Sequence, residues 1–222
     1  MRQQQGHLAG AIEDARLAVE AKERVLGADS ADLGIGLINL ANHLAYGAEF
    51  ANALEVNRRA IDILTATLGR EHPRTALAIA NDAQFLFRVG RLEESEATAR
   101  RALAVFERET DVQGILITLP LRTLGLCHLG KGRFAEAVPL LERALALREA
   151  NRMPPVRQAE VRYPLARAVF EAGGDPARAV ALARQALVEY RQAAATPVVA
   201  GDVVELERWL QTHAPTTAPA SA

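Results

Sequence analysis

The chain has 222 residues and half of them are hydrophobic, so it is long enough and apolar enough to bury a substantial core. Its 26 Lys and Arg residues nearly balance its 27 Asp and Glu residues, and the net charge of -1 lacks the basic excess that binding to a phosphate backbone requires. We therefore expect no nucleic acid partner. The single cysteine, Cys127, cannot form an internal disulfide, and no apolar stretch is long enough for a signal peptide or a membrane helix. These features predict a cytoplasmic protein without a membrane partner.

Turn-like segments recur at a fixed interval along the chain. The sequences GHLAGA, AEFANA, GRLEES, GRFAEA and GDPARA begin at residues 6, 48, 90, 132 and 174, each 42 residues after the last. Small residues follow at two constant offsets: Ala11, Ala53, Ser95, Ala137 and Ala179, then Ala18, Ala60, Ala102, Ala144 and Ala186. Small residues seven positions apart lie on nearly the same helix face and let another helix approach closely. A period of this size predicts a repeat architecture.

A second helical pattern precedes most of these segments and has its own small position. That position is occupied by Ala41, Ala83, Gly125 and Ala166. Strand signals are absent, because aromatic residues are few and Ala, Leu, Arg and Glu, which favour helices, are abundant. Each period is therefore predicted to be two antiparallel helices joined by a short turn, and the fold class to be all-α.

The same pattern predicts the domain organisation. We expect a polar lead-in at residues 1–5, a repeat array at 6–200 made of a half repeat and four full repeats, a capping helix at 201–213 and a disordered tail at 214–222. Asp202 is placed to cap the last helix. Because the first helix lacks a preceding partner, Leu8, Ile12 and Val19 are expected to form an apolar face, which favours self-association through this helix.

The repeats resemble a known family. Small residues in both helices, Gly-Arg-Leu or Gly-Arg-Phe at the turn and Ala-Leu late in the second helix resemble the tetratricopeptide repeat. The period and the links TLGREHPRTALAIANDA and VLGADSADLGIGLINLA resemble the longer variety of kinesin light chains and bacterial signalling proteins. The stretches LRTLGLCHLGKGRFAEAVPLLERALALREA, LARAVFEAGGDPARAVALARQALVEYR and VVELERWLQTH are similar to the C-terminal arrays of myxobacterial serine/threonine kinases. The resemblance implies a right-handed superhelical solenoid of helix hairpins.

In such a solenoid the first helices line a concave wall that binds protein segments. The resemblance implies that the peptide-binding groove is formed by Asn39, Asn42, Asn81, Gln84, Phe87, Arg122, Tyr163 and Arg167. Amide side chains both donate and accept hydrogen bonds, so they suit a peptide main chain, and the two arginines suit a carboxylate. For each polar residue the alternative is solvation or a helix cap.

Residues that suggest catalysis have simpler interpretations. GLCHLGKG, from Gly125 to Gly132, matches a phosphate-binding loop except at its last position, where the hydroxyl that binds magnesium is missing. Since no strand is predicted before it, we interpret this stretch as a repeat turn with a solvated Lys131. Cys127 is interpreted as a buried, inert thiol, and Glu93, Glu94 and Glu96 as a solvated acidic face of a helix start.

Asp82 stands where the other repeats have leucine, so we expect it to be exposed or paired with an arginine, with a ligand site as the alternative. The five histidines lie in different segments without metal-ligand spacing. We therefore expect no catalytic residue, no metal and no cofactor, and we predict a bacterial protein-binding scaffold with a role in signalling. The alternative is the regulatory or docking region of a serine/threonine kinase. Such a region would be non-catalytic, because no kinase motif occurs in this chain.

Overall fold

The computed structural model describes residues 2–108, 114–193 and 196–214, with side chains from His7 onward. These residues form ten α-helices: α1 (Arg2–Leu26), α2 (Ala31–Tyr46), α3 (Phe50–Leu68), α4 (Pro73–Arg88), α5 (Leu92–Arg108), α6 (Thr118–Gly130), α7 (Phe134–Ala150), α8 (Pro155–Glu171), α9 (Pro176–Arg191) and α10 (Pro197–His213). No strand occurs in the described ranges, so the all-α prediction is confirmed. The predicted polar lead-in is helical from Arg2.

Consecutive helices pack against each other along the chain. The pairs α2–α3, α4–α5, α6–α7 and α8–α9 form the predicted hairpins, and α10 packs on α9. The first helices of successive hairpins, α2, α4, α6 and α8, also contact one another and form one wall. The molecule is therefore the predicted right-handed solenoid of antiparallel helix hairpins.

Each hairpin turn contains one residue with a left-handed backbone. Gly90 has φ of 82°, Gly132 of 71° and Gly173 of 75°, a region that glycine enters without a steric penalty. The first turn uses Ala48 instead, with φ of 64°. The turn geometry thus explains Gly90 and Gly132, which are 42 residues apart, whereas in the last hairpin the left-handed residue is Gly173, one position before the periodic Gly174.

Small residues occupy the helix crossings as the sequence predicts. A Cβ added at Gly125 would lie 2.5 Å from Leu141 Cγ, so no larger side chain fits there without movement. The other small positions of α2 to α9 are fully buried, whereas Ala18 of α1 is exposed. The close packing of the hairpins therefore depends on these residues from α2 onward.

The last helix differs from its prediction. α10 begins at Pro197 and its N-cap is Thr196, whose hydroxyl accepts a hydrogen bond from Val199 N at 3.2 Å. Asp202 lies inside the helix, so its predicted capping role is wrong. Trp209 packs edge-on against Phe170 of α8, with ring centroids 5.6 Å apart, and this contact attaches α10 to the array. Apart from residue 214, the predicted tail lies outside the described residues.

Two acidic residues show how charge is buried in the array. Asp82 is buried and its Oδ1 lies 3.6 Å from Arg58 Nε, so the predicted arginine pair is confirmed. Glu96 is also buried, and the prediction that it is solvated is wrong. Lys131 Nζ lies 2.7 Å from Glu96 Oε2, so Lys131 is an ion-pair partner and not a free surface residue. The turn of one repeat therefore covers the start of the preceding second helix.

Candidate functional site

The concave wall encloses a cavity of about 390 Å³. Its lining comes from α2, the start of α3, α4, residues 115–116, α6, the end of α7, the α7–α8 turn, α8, Ala193 and α10 with its N-cap. Aromatic and aliphatic side chains form one part of the wall, among them Tyr46, Phe50, Leu77, Phe85 and Leu119. The cavity is therefore built from both ends of the array and not from a single repeat.

Arginines supply most of the charge in this cavity. Arg148 Nη1 donates a hydrogen bond to Glu160 Oε2 at 3.2 Å, and Arg157 Nη1 donates one to Glu160 Oε1 at 2.9 Å. Burial alone would raise the pKa of Glu160, but the charges of Arg122, Arg157 and Arg148 hold that pKa below its ordinary value. Burial lowers the pKa of Arg148 to about 10, against the opposing effect of Glu160. Glu160 is thus an ionised carboxylate bound by arginines.

Two contacts join opposite sides of the groove across the cavity. Arg157 Nη2 donates a hydrogen bond to the Tyr46 hydroxyl, and its guanidinium lies 5.6 Å from the centre of the Tyr46 ring. Arg88 Nη2 lies 3.7 Å from Asp202 Oδ1. Because α2 and α4 belong to the first half of the array, and α8 and α10 to the second, these contacts partly close the concave face. The site is consequently a partly covered cavity that stays open to solvent on one side.

Two buried hydrogen-bond donors of the cavity lining have no acceptor among the described residues. They are Asn81 Nδ2, on a side chain that is 5 % exposed, and Arg148 Nε, on a side chain that is 3 % exposed. Buried polar groups in folded proteins almost always have partners, because an unpaired donor loses its hydration without compensation. Both atoms have almost no accessible surface, so they are shielded by the protein itself and do not open onto the cavity.

Four of the predicted groove residues line the cavity together. They are Asn42 of α2, Asn81 and Gln84 of α4, and Arg122 of α6. Arg122 is 5 % exposed, and its Nε donates a hydrogen bond to the main-chain oxygen of Glu160 at 3.0 Å. The structure therefore brings together the central half of the predicted set.

The other four predicted residues do not line the cavity. Asn39 lies in a separate depression between α1 and α2, and Phe87 is half-buried outside the lining. Tyr163 is buried and its hydroxyl donates to Glu205 Oε1 at 3.3 Å, while Arg167 Nη1 pairs with the same oxygen at 2.8 Å. Since α10 supplies Glu205, this helix occupies the part of the concave wall where Tyr163 and Arg167 were expected to meet a ligand.

The sequence prediction missed several residues of the cavity, and one of them has a signal in the repeat. Arg148 stands at the position that Leu64, Phe106 and Tyr190 occupy in other repeats, and all three are buried. A charged residue at a core position indicates a polar environment. Arg157 and Asp202 lie near helix starts, where an exposed charge is the ordinary expectation, and no comparable signal distinguishes them.

Features of other functional classes can be assigned to ordinary structural roles. GLCHLGKG forms the end of α6 and the following turn, as predicted, and Cys127 is fully buried, which raises the pKa of its thiol. Within the described ranges, no group of His, Cys, Asp and Glu has the geometry of a metal site. No described helix has the length and hydropathy that would let it cross a bilayer.

The repeats match a known family. A family model described as tetratricopeptide repeat matches residues 74–150, and another with the same description matches residues 3–32. These stretches carry tetratricopeptide repeats. No curated protein sequence matches significantly, so the similarity to myxobacterial kinase arrays has no support from that comparison.

Solved structures show the same fold. A crystal structure of a putative kinesin light chain with nearly identical TPR-like repeats, from Podosopora anserina, is 20 % identical with a TM-score of 0.62, covering 93 % of this chain and 92 % of the other. BtubC (BKLC) from P. vanneervenii is 15 % identical with a TM-score of 0.58, covering 100 % and 96 %. Aspartyl phosphate phosphatase F from Bacillus subtilis is 17 % identical with a TM-score of 0.62, covering 84 % of this chain and 46 % of that one. The protein therefore has the solenoid fold of these tetratricopeptide structures.

Proposed function

We propose that the protein is a non-catalytic scaffold that binds a segment of a partner protein on its concave face. The observation that carries this proposal is the cavity in the concave wall, where Asn42, Asn81 and Gln84 converge with Arg122. Amides placed on successive first helices suit the main chain of a bound segment, whose donors and acceptors alternate. The repeat family, whose members bind protein partners, supports the same function.

The test begins with affinity capture on the wild-type protein, followed by mass spectrometry and calorimetric titration of the bound segment. Asn42→Ala combined with Gln84→Ala should weaken binding by about tenfold or more, because two main-chain contacts are lost. Asn52→Ala, on an exposed position of α3, is the matched control and should bind like the wild type. Unchanged affinity of the double variant would place the binding surface elsewhere and refute the proposal.

The N-terminal helix remains a predicted site of self-association, but through different residues. Val19 is buried, and Leu8 and Ile12 are half-buried, whereas Leu17 is 54 % and Val25 78 % exposed. Sedimentation of Leu17→Ser with Val25→Ser should show less association than the wild type at the same concentration. If the wild type is strictly monomeric at high concentration, the predicted self-association is wrong.

The link to a bacterial serine/threonine kinase also remains a hypothesis from the sequence resemblance. Kinase motifs in frame in the genomic sequence before Met1 would support a regulatory or docking role within a longer protein. A different upstream gene would leave the scaffold proposal without this link.

A further inference from the structure

A groove lies between α1 and α2 at the N-terminal end of the array. It has a volume of about 400 Å³ and shares no lining residue with the concave cavity. The residues that α1 contributes are mostly small and recur at helical spacing: Ala11, Asp14, Ala15, Ala18 and Lys22. The residues that α2 contributes are Gly36, Asn39 and His43. This α1–α2 groove is open to solvent, since Ala18 and Asn39 on its two sides are both exposed.

One repeat later, the equivalent positions are buried beneath a helix. On the side of the second helix, the residues 42 positions after four of those in α1 are all fully buried: Ala53, Asn57, Ala60 and Leu64. On the side of the first helix, Ala78 is 0 %, Asn81 5 % and Phe85 1 % exposed. The helix that packs there is α2, and a Cβ added at its Gly34 would lie 2.8 Å from Leu64 Cγ. The α1–α2 groove is therefore the place that a first helix takes in the next repeat, and no described helix fills it.

The polar residues of the groove are compatible with a covering helix. In the covered crossing, Asn57 Nδ2 donates a hydrogen bond to the main-chain oxygen of Ala78 at 2.8 Å, so polar side chains occur there too. Lys22 lies with its aliphatic stem on the groove floor, because a Cβ added at Gly36 would be 3.3 Å from Lys22 Cδ. Its ammonium donates a hydrogen bond to the main-chain oxygen of Asp32, at 3.2 Å, in the first turn of α2. The small residues in the middle of the groove thus remain accessible.

Helix α10 is a first helix with one uncovered side. It begins 42 residues after α8, just as α4 begins 42 residues after α2. Its buried residues Leu206 and Trp209 face the array, and the opposite side is an exposed stripe of Ala200, Val204, Arg208 and Gln211. In α8, buried residues occur on every side, because α7 and α9 both pack against it. Among the described residues, α10 therefore lacks the second helix that α9 supplies to α8.

We propose that α10 of one copy lies in the α1–α2 groove of a second copy, so that the array continues from molecule to molecule. α10 then pairs with α1 of the next copy as α8 pairs with α9, and Val204, which is 56 % exposed, becomes buried against the small residues of α1. The two contacting surfaces differ, so the interface is heterologous and adds copies head to tail. The inference goes beyond the proposed scaffold and names the surface that α1 contacts in its predicted self-association.

Sedimentation velocity over a concentration series measures this contact, and the mass of the wild type should rise with concentration. Ala18→Arg places a charge in the groove and Val204→Arg places one on the stripe of α10, so each should weaken association by about tenfold or more. The controls are Ala9→Arg, on the opposite side of α1, and Val188→Arg, at a residue of α9 that is 55 % exposed; both should associate like the wild type. Melting temperatures verify that all four variants fold, and Ala18→Leu replaces Ala18→Arg if the arginine variant is unstable.

A mixture of the two interface variants distinguishes this contact from a two-fold contact between α1 helices. The Ala18→Arg variant keeps an intact α10 and the Val204→Arg variant keeps an intact groove, so together they should form a one-to-one complex although neither associates alone. A mixture without this complex would overturn the proposal. Association of Val204→Arg at the strength of the wild type would overturn it and leave a contact through α1 alone, and a strictly monomeric wild type would overturn both. None of these results changes the test of the scaffold, which depends on Asn42 and Gln84.

Discussion

Glu96 is a buried carboxylate whose partners come largely from the turn of the next repeat. Lys131 Nζ lies 2.7 Å and Arg133 Nη2 2.6 Å from Glu96 Oε2, and Arg100 pairs with Oε1. Burial alone would raise the pKa of Glu96, but hydrogen bonds from these three side chains lower it from 4.5 to about 2. The folded protein therefore binds a proton at Glu96 more weakly than the unfolded chain does.

Replacing this carboxylate gives a pH-dependent prediction. Glu96→Gln should lower the free energy of unfolding at pH 7 by about 1 to 3 kcal/mol, because charge-assisted hydrogen bonds are lost in a buried site. The contribution is complete above the unfolded pKa of 4.5 and disappears as the pH falls through about 2, so the difference from the wild type should shrink over that interval. Urea titrations at several pH values measure it, with the exposed Glu94→Gln as control. A difference that stays constant down to pH 2 would contradict the ion-pair account.

Ala48 and Gly90 give a second prediction, because they occupy the same turn position with the same left-handed backbone. Gly90→Ala should destabilise the protein by about 1 kcal/mol, and Ala48→Gly should stabilise it by up to about 1 kcal/mol. A Cβ at Gly90 would have no atom within 4 Å, so the cost is one of backbone conformation alone. Chemical denaturation of both variants checks the opposite signs. Two changes of the same sign would show that the turns are not equivalent.

At the scale of the elements, helix crossings depend on residues without bulk. Ala102 of α5 is fully buried, and Ala102→Leu should cost about 1 to 3 kcal/mol by overpacking the crossing. Ala18→Leu is the same substitution at the same repeat position, but Ala18 is exposed on α1, so its effect should stay within about 0.5 kcal/mol. Thermal unfolding compares the two variants. Similar melting temperatures would mean that the repeat position does not determine burial.

The hairpins could be predicted from the sequence because their causes are local. The small positions at Ala41, Ala83, Gly125 and Ala166 mark one face of each first helix, and the structure buries all four. The turn glycines recur because each hairpin needs a left-handed residue. A period that repeats both signals determines the helix order.

The candidate site was predicted only in its centre because its remaining parts depend on distant contacts. Glu96 has the sequence context of an ordinary exposed acid near a helix start, but Lys131, 35 residues later, covers it and pairs with it. The repeat pattern places Arg167 on the groove side of α8, but Glu205 of α10 pairs with it there. Pattern within one repeat carries no information on these partners. The curvature that brings them together accumulates over several repeats.

At the scale of the whole molecule, two contacts cross the concave face and partly close it. Tyr46 and Arg157 are 111 residues apart in the chain, and their hydrogen bond links α2 to α8. Arg88 and Asp202 link α4 to α10, with both side chains less than a quarter exposed. In a solenoid each repeat contacts mainly its neighbours, so contacts across the groove act on curvature more than on the stability of any hairpin. Removing them should open the array without unfolding it.

This expectation can be measured with Tyr46→Phe combined with Asp202→Asn. The double variant should lose at most about 1 kcal/mol of stability, since the contacts are only partly buried. Spin labels on cysteines introduced at the exposed residues Asn52 and Ala200 should report a longer and broader distance distribution than in the wild type. High salt should shift the wild type in the same direction by screening the Arg88 pair. Glu94→Gln, which removes a local pair with Arg91, should leave the distances unchanged. Identical distributions in the double variant and the wild type would show that helix packing alone sets the curvature, and that the cavity stays closed without these contacts.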